Sequence, residues 1–342
     1  MMRARFVGVG AALPGHVIAN VEIEERLGVE RGWIESRTGV RERRVLASGE
    51  TLLHLAEAAS REALRTAGIA PAEVDAVVGA TTSGPFLFPS LACLVHGRLG
   101  LRMQPAFDVA AACAGFPYAV SVADQAIRCG DHRTVLVLGA DRLSALCEPT
   151  DRVTSPLFGD AAGAVVLRAE PAVGGSAGRG ILALRLRALG AQAPILFARS
   201  ALRDPEPASV SGAVATNDAE DGIDPIDPWL RMRGAEVFRA AVEHTVALTR
   251  EVLGIAGLAA SDVDLLVPHQ ANLRIVRSMI AQLGIAEGRV ELNLDRCGNT
   301  SAASIPVALS EALAAGRLAA GKVVVLNAVG GGLTAGALVA RW

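Results

Sequence analysis

Two pairs of segments in this chain repeat at one constant spacing, and the repeat constrains the fold more than any other feature. GIAPAEVDAVVGA and GLAASDVDLLVPHQ place Asp75 and Asp264 189 positions apart. Further along each copy, RTVLVLGA and KVVVLNAVGG place Arg133 and Lys322 at the same separation. Because similarity at a fixed internal period marks duplicated structural units, the offset predicts two equivalent halves.

Each half has the pattern of a helix, a turn and a buried β-run, followed by a second apolar β-run. This alternation is typical of βαβ units with mostly parallel strands. The runs AVVGATT, TVLVLGA and VVVLNAV lack polar alternation, which indicates strands covered by helices on both faces. We therefore predict an α/β fold of two pseudo-symmetric halves, residues 1–172 and 173–342, stacked as a five-layered α-β-α-β-α core.

Composition excludes several classes of protein. A net charge of −2 over 342 residues gives no basis for a nucleic-acid groove. Five separated cysteines without a CxxC pair predict neither a disulfide framework nor a zinc site, and they favour a reducing, cytoplasmic location. The N-terminal apolar stretch is too short for a signal peptide. Residues 323–340 carry no charge, but three consecutive glycines favour two strands joined by a turn over a membrane helix.

Cys113 lies among small residues, in DVAAACAGF, at the predicted start of a helix. The repeat offset places Ala302, in CGNTSAAS, at the equivalent corner of the second half. Small side chains at both corners let the two helices pack closely at the pseudo-twofold centre. The thiol itself has two explanations: a small buried hydrophobe, or a nucleophile whose thiolate the helix N-terminus favours.

Three further motifs carry polar groups that are able to meet this thiol. His269 follows a buried strand in VPHQANLR, where open α/β sheets place their sites. Asn299 stands at a turn in CGNTSAAS, and AVGGG offers backbone N–H groups after the last strong strand. Taken alone, such a histidine is usually structural, and the asparagine is explained as a helix cap. Since the repeat brings the two helix starts together, we expect all four groups to line one pocket.

Together these motifs resemble the signature of β-ketoacyl-acyl-carrier-protein synthase III, an initiating condensing enzyme of fatty acid synthesis with the thiolase fold. The resemblance covers nearly the whole chain, from FVGVGAALP to GALVARW. It implies that Cys113 takes an acyl group from acyl-CoA as a thioester and that His269 and Asn299 hydrogen-bond the malonyl thioester oxygen. The backbone N–H groups of Cys113 and Gly331 would form the oxyanion hole.

The resemblance also implies binding residues and partners. The partners are acyl-CoA, a malonyl-loaded acyl carrier protein and a second copy of the chain, with no tightly bound cofactor, no metal and no membrane. Phe88 matches an aromatic that reaches into the acyl pocket of the dimer partner, and Val329 stands in the same pocket where many relatives have Phe. The CoA contacts would be Trp33, Arg37 and Arg152, and the carrier-protein contacts Arg239, Arg274 and Arg277.

The chain departs from the family pattern over residues 174–229, a segment rich in proline and acids that we expect near the tunnel mouth. The acyl donor therefore stays open, as does a specialised relative that loads or extends polyketide, quinolone or acyl-ester products. This chain lacks the second cysteine that a degradative thiolase needs near the C-terminal glycines. ATTSGPF lacks the glutamate of hydroxymethylglutaryl-CoA synthase, and GVGAAL lacks the third glycine of a nicotinamide-binding motif. A non-catalytic acyl-binding scaffold would need none of Cys113, His269 and Asn299.

Overall fold

The computed structural model describes residues 2–172, 178–199 and 228–342. Most of the segment that departs from the family pattern, DPEPASVSGAVATNDAEDGIDPIDP, lies outside these residues. The described parts of residues 174–229 are residues 178–199 and 228–229, and the first of these contains a regular strand, Gly180–Ala188. Among the described residues, no helix is long and apolar enough to span a membrane.

The first half contains a five-stranded sheet in the order β1-β7-β6-β4-β5. Its long strands, β6 and β7, are buried along most of their length because helices cover both faces. A separate two-stranded antiparallel sheet, β2 with β3, lies outside this sheet. The bounds are β1 Met2–Ala12, β2 His16–Ala19, β3 Glu42–Val45, β4 Ala76–Ala80, β5 Ala106–Val109, β6 Thr134–Arg142 and β7 Asp160–Pro171.

The second half contains a four-stranded sheet in the order β11-β12-β13-β8, and β9 and β10 pair separately. The uncharged C-terminal run forms β12 and β13 with a glycine turn between them, as the three consecutive glycines predict. The bounds are β8 Gly180–Ala188, β9 Leu196–Phe197, β10 Arg231–Met232, β11 Leu265–Pro268, β12 Val323–Gly330 and β13 Thr334–Arg341.

Helices complete the five layers that the repeat predicts. Between the two sheets, α5 and α9 form the central layer together with the inner faces of the strands. On the outer faces, α3 and α4 cover the first sheet, and α6 and α7 cover the second. The bounds are α1 Asn20–Leu27, α2 Trp33–Thr38, α3 Leu52–Ala67, α4 Leu91–Leu99, α5 Gly115–Cys129, α6 Gly234–Ile255, α7 Leu273–Leu283, α8 Leu294–Cys297 and α9 Ser304–Ala314.

The repeated aspartates have the same structural task in both halves. Asp75 accepts hydrogen bonds from the amides of Arg133 and Thr134, at 2.7 and 2.8 Å, where β6 begins. Asp264 accepts one from the Val323 amide, at 2.8 Å, where β12 begins. Asp75 thus links the residues before β4 to the start of β6, and Asp264 links the residues before β11 to the start of β12.

The prediction of mostly parallel strands is wrong. In the two main sheets β4–β5, β4–β6 and β11–β12 are parallel, whereas β1–β7, β6–β7, β12–β13 and β13–β8 are antiparallel. The pair β12–β13 shows the physical reason. Only residues 331–333 join these two strands, and a parallel pair needs a much longer crossover connection. The division of the chain after Ala172 stays a prediction. Among the strands of the described residues, no sheet contains both a strand from the first seven and a strand from the last six.

Candidate active site

One cavity of about 600 Å³ contains most of the predicted site residues in its wall. Its inner end lies where the two central helices begin, and its outer end lies beside α2. It is lined by eight of the residues to which the sequence assigned roles: Cys113, His269, Asn299, Gly331, Val329, Trp33, Arg37 and Arg152.

Cys113 lies in a 3-10 turn, Ala112–Ala114, that leads directly into α5. The helix N-terminus is therefore beside the thiol, as predicted, but the side chain is only 9% exposed. Burial raises the pKa of the Cys113 thiol to about 11, and Asp141 adds to the increase, while hydrogen bonds from Ser301 and the cysteine's own amide oppose it. Ionisation at neutral pH then costs roughly 5 kcal/mol at about 1.4 kcal/mol per pH unit. Because a helix N-terminus supplies at most about 2 kcal/mol, the resting thiol is protonated.

His269 follows β11, and its amide is tied to the Asn327 carbonyl of β12 at 2.8 Å. The ring is 7% exposed, and burial lowers the pKa of His269 to about 4. The imidazole is therefore neutral at physiological pH. Its Nδ1 is 2.6 Å from the Ser304 hydroxyl at the start of α9, which leaves Nε2 for the cavity.

Asn299 is held from both sides by backbone. Its amide donates to the Leu157 carbonyl at 2.8 Å, and its own carbonyl accepts from Gly159 at 3.0 Å. The side-chain Oδ1 accepts from the Ser301 amide at 2.9 Å, so the amino group is the end that Asn299 offers to a ligand. Gly298, just before it, has φ +65°, and a Cβ there would lie 2.7 Å from the Leu157 carbonyl oxygen.

The glycine turn after β12 approaches the Cys113 corner closely. A Cβ on Gly330 would lie 2.6 Å from the Cys113 amide nitrogen and 2.7 Å from that of Ala114. Only glycine therefore lets β12 end against the start of α5. Gly331 follows and lines the cavity, which places its backbone on the same wall as the thiol.

The outer end of the cavity has an aromatic and cationic rim. The Arg37 guanidinium lies over the Trp33 ring, 4.5 Å from its centroid. Arg152 donates to the Leu27 carbonyl at 3.1 Å, which fixes it beside the end of α1. The rim thus offers a flat stacked surface with two positive charges.

The other four predicted residues lie outside the cavity wall. Phe88 is 85% exposed on the loop before α4, next to the exposed Phe86 and Leu87. Arg239 of α6 and Arg274 and Arg277 of α7 are exposed on the surface. Arg277 pairs with Glu287 at 3.3 Å, and Arg274 follows two residues after Asn272, which lines the cavity.

The middle of the cavity is apolar, and a second cavity adjoins it at Val329. A smaller cavity of about 20 Å³ lies behind this residue, bounded by Ala241, Ile275, Met279 and Asn327 among others. Val329 and His269 line both cavities. The main apolar wall is formed by Leu143, Leu146, Leu157, Phe158, Leu196, Leu230, Met232, Val237 and Phe238.

Sequence reasoning missed three buried polar residues at the site: Asp141, Ser301 and Ser304. Ser304 contacts the imidazole, the Ser301 amide donates to the Asn299 side chain at 2.9 Å, and Asp141 accepts from the Ala302 amide at 3.2 Å. One sequence signal was present for Ser301, because it is the counterpart of Ala112 across the 189-residue offset. These two are the only non-glycine residues with positive φ in the described ranges, at 51° and 45°.

Comparison with known proteins supplies independent information. Residues 107–190 match the family model "3-Oxoacyl-[acyl-carrier-protein (ACP)] synthase III", and residues 253–342 match the model of its C-terminal part. The chain is 43% identical to β-ketoacyl-[acyl-carrier-protein] synthase III of Chelativorans sp. (strain BNC1) and of Rhizobium meliloti (strain 1021), over 342 residues and 100% of each chain.

Solved structures agree with these relatives. The 3-oxoacyl-[acyl-carrier-protein] synthase III of Aquifex aeolicus VF5 superposes with a TM-score of 0.87 at 38% identity, covering 99% of this chain and 100% of the other. The priming β-ketosynthase of the R1128 polyketide pathway gives 0.86 at 34% identity, covering 99% and 96%.

Proposed function

Because the chain belongs to the 3-oxoacyl-[acyl-carrier-protein] synthase III family, we propose that it condenses an acyl-CoA starter with malonyl-acyl carrier protein. The products are 3-oxoacyl carrier protein, CoA and CO2, and the reaction initiates fatty acid biosynthesis. The observation that carries this proposal is the shared wall of one cavity, on which Cys113, His269, Asn299 and Gly331 stand together.

In the first half-reaction the Cys113 sulfur attacks the acyl-CoA carbonyl and expels CoA, leaving a thioester on the enzyme. The carbonyl oxygen gains negative charge as the sulfur attacks. The backbone N–H groups of Cys113 and Gly331 form the oxyanion hole and donate hydrogen bonds to this oxygen. Preorganised donors of this kind are worth about 10²–10³ in rate each.

In the second half-reaction the malonyl group loses CO2, and the electrons of the broken carbon–carbon bond form an enolate. The Asn299 amino group and the His269 Nε2–H donate to its oxygen. A neutral imidazole performs this role only as the Nε2–H tautomer, in which Nδ1, 2.6 Å from the Ser304 oxygen, accepts a hydrogen bond from that hydroxyl. The enolate carbon then attacks the Cys113 thioester, and the product leaves on the carrier protein.

The two substrates enter over the same rim. The stacked pair of Trp33 and Arg37, with Arg152, suits the adenine and phosphates of CoA. The exposed Arg239, Arg274 and Arg277 suit an acidic carrier protein, because they lie on α6 and α7, whose residues also line the cavity.

The starter is a longer or branched acyl group rather than acetyl alone. Val329 is smaller than Phe, and the cavity behind it has room for about one methyl or methylene group at the acyl site. Each methylene that finds a pocket is worth about 1–3 kcal/mol of discrimination.

We also propose that the active form is a homodimer. Phe86, Leu87 and Phe88 expose 61%, 76% and 85% of their surfaces on one loop, and Met103 exposes 93%. Nearby, β5 is the edge strand of the first sheet. Contiguous exposed apolar surface beside an open sheet edge marks an interaction surface.

The test is intact-protein mass spectrometry after incubation with acyl-CoAs of increasing length and branching, followed by addition of malonyl carrier protein. We expect an adduct on Cys113 that disappears as 3-oxoacyl product forms. An adduct without condensation would indicate a loading enzyme of secondary metabolism. The absence of an adduct with every donor would favour the alternative of a non-catalytic acyl-binding scaffold.

Two variants make the result specific. Cys113→Ala should give neither adduct nor product. Val329→Phe should fill the small cavity and shift the preference towards shorter donors by roughly tenfold. An unchanged donor preference in Val329→Phe would contradict the assignment of this residue to the acyl pocket.

A further inference from the structure

The proposed nucleophile follows a strained residue of the backbone. Ala112, directly before Cys113, has φ 45°. This is the left-handed region, in which the Cβ of an L-residue crowds the neighbouring carbonyl oxygen. A residue other than glycine keeps such a conformation only where the surrounding contacts impose it. The contacts made by the residues next to Ala112 therefore maintain the backbone on which the Cys113 N–H stands.

One side chain from the second half contacts this corner. Thr334 is the first residue of β13, and its hydroxyl donates to the Ala111 carbonyl at 2.8 Å. The same hydroxyl lies 3.2 Å from the Gly331 carbonyl oxygen. Because a hydroxyl has one proton, the shorter contact is the main hydrogen bond and the longer one is a weaker, shared component. Thr334 thus links the residue before the strained corner to the glycine turn.

These two segments carry the two N–H groups of the proposed oxyanion hole. They also pack directly against each other, since a Cβ on Gly330 would lie 2.6 Å from the Cys113 nitrogen and 3.0 Å from the Ala111 carbonyl oxygen. Packing limits how closely the segments approach, whereas a hydrogen bond also has a preferred direction. The Thr334 hydroxyl engages only carbonyl oxygens, so it leaves both N–H groups available to a ligand.

The equivalent corner of the second half is held in another way. Its strained residue is Ser301, with φ 51°, and the next amide, that of Ala302, donates to the Asp141 carboxylate at 3.2 Å. In the first half the repeat places Cys113 and Gly330 at the positions of this amide and this carboxylate. Glycine offers no carboxylate to the Cys113 N–H, and the side-chain hydrogen bond to this corner goes to a carbonyl instead.

We propose that Thr334 is a positioning residue that fixes the Cys113 and Gly331 N–H groups relative to each other and so preorganises the oxyanion hole. It touches neither the substrate nor the reacting atoms, since it lies outside the cavity wall to which Gly331 belongs. The repeat places Ala145, which has no hydroxyl, at the equivalent position, so this hydrogen bond serves only the corner that carries the thiol. Because each preorganised donor contributes about 10²–10³ in rate, displacing one of them should slow acyl transfer measurably.

This inference rests on the proposed function, and one experiment separates the two. Rapid-quench acylation of Cys113 by acyl-CoA is measured over a range of donor concentrations in the wild type, Thr334→Val and Thr334→Ser. Acylation of the wild type tests the function. In Thr334→Val the maximum acylation rate should fall about tenfold or more, whereas the half-saturating donor concentration should stay the same because the aromatic and cationic rim is intact. Thr334→Ser keeps the hydroxyl and should recover most of the lost rate.

Valine is compatible with the fold at position 334. It is β-branched like threonine and suits the start of a strand, and the Ala111 carbonyl keeps its hydrogen bond from the Ala114 amide at 3.0 Å. Thr66→Val is the matched control, because it removes a hydroxyl that joins α3 to β1 through the Val9 carbonyl at 2.8 Å, away from the cavity wall. It should keep the wild-type acylation rate.

A second reaction of the same site separates positioning from general damage. Malonyl decarboxylation should keep its rate in Thr334→Val, because His269 and Asn299 are held by other contacts. An unchanged maximum acylation rate in Thr334→Val, an equal fall of acylation and decarboxylation, or no recovery in Thr334→Ser would each overturn the positioning role while the proposed function stands. Absence of acylation in the wild type would overturn the function and this inference with it.

Discussion

At the scale of the residue, burial decides the ionisation states in this site. The Cys113 thiol and the His269 imidazole are both buried, and in each case burial shifts the pKa towards the neutral form. A cysteine–imidazolium ion pair, which activates many other catalytic cysteines, is therefore absent at rest. The uncharged pair suits the proposed roles of this site, which are to hold a thioester and to stabilise an enolate away from water.

The buried histidine makes the stability of the protein depend on pH. Because the folded pKa of His269 is about 4 and the unfolded value is about 6.5, the unfolded chain binds the proton more readily. This contribution is complete above about pH 6.5 and is lost as the pH falls towards 4. We expect the wild type to lose about 2 kcal/mol more unfolding free energy between about pH 7 and 5 than His269→Gln does. Urea titrations at the two pH values measure the difference, and parallel losses in the two proteins would contradict it.

At the scale of the element, close backbone contact between strand ends and helix starts builds the site. Gly330 lets β12 meet the start of α5, and Gly139 of β6 lies against the Ala302 carbonyl at the equivalent corner. Small residues at these places are a packing requirement, as the repeat predicts. The Gly330 contact holds the end of β12 directly against the Cys113 amide.

Gly330→Ala tests this contact. The added Cβ would lie 2.6 Å from the Cys113 nitrogen, so the turn or the helix start must move. We expect a loss of about 1–3 kcal/mol in unfolding free energy and a fall in Cys113 acylation of about 10²-fold. Gly254→Ala is the control, since nothing lies within 4 Å of a Cβ there and alanine favours the helix. Wild-type acylation by Gly330→Ala would exclude a role for this contact in the oxyanion hole.

At the scale of the whole molecule, the packing of the two halves brings polar groups from both of them to one cavity. The thiol comes from the first half, the imidazole and the amide from the second, and the cavity lies between them. Neither half alone contains the site. If the proposed dimer forms through the Phe86–Phe88 loop, each cavity also depends on a second copy.

Analytical ultracentrifugation tests the dimer. We expect the wild type to sediment as a dimer and Phe88→Ser to dissociate at concentrations where the wild type does not, because an exposed aromatic loses its apolar partner surface. Ile255→Ser, which alters an apolar residue 49% exposed at the end of α6, should sediment like the wild type. A monomeric wild type with full condensing activity would contradict the proposed role of Phe88.

The sequence by itself determined the architecture of two halves and identified the thiol, imidazole and amide groups of the candidate site. The constant offset, the apolar strands and the glycines are patterns of the sequence itself, so they can be recognised without coordinates. The motifs DVAAACAGF, VPHQANLR and CGNTSAAS indicated the thiol, the imidazole and the amide in the same way. Only the tertiary structure decided the strand directions, the neutral state of the thiol and the hydrogen bond between Asp141 and the Ala302 amide. Strand direction depends on which distant segment pairs with which, and a pKa depends on how much water the folded neighbours exclude. Asp141 and Ala302 are 161 positions apart in sequence and meet only when the two halves pack against each other.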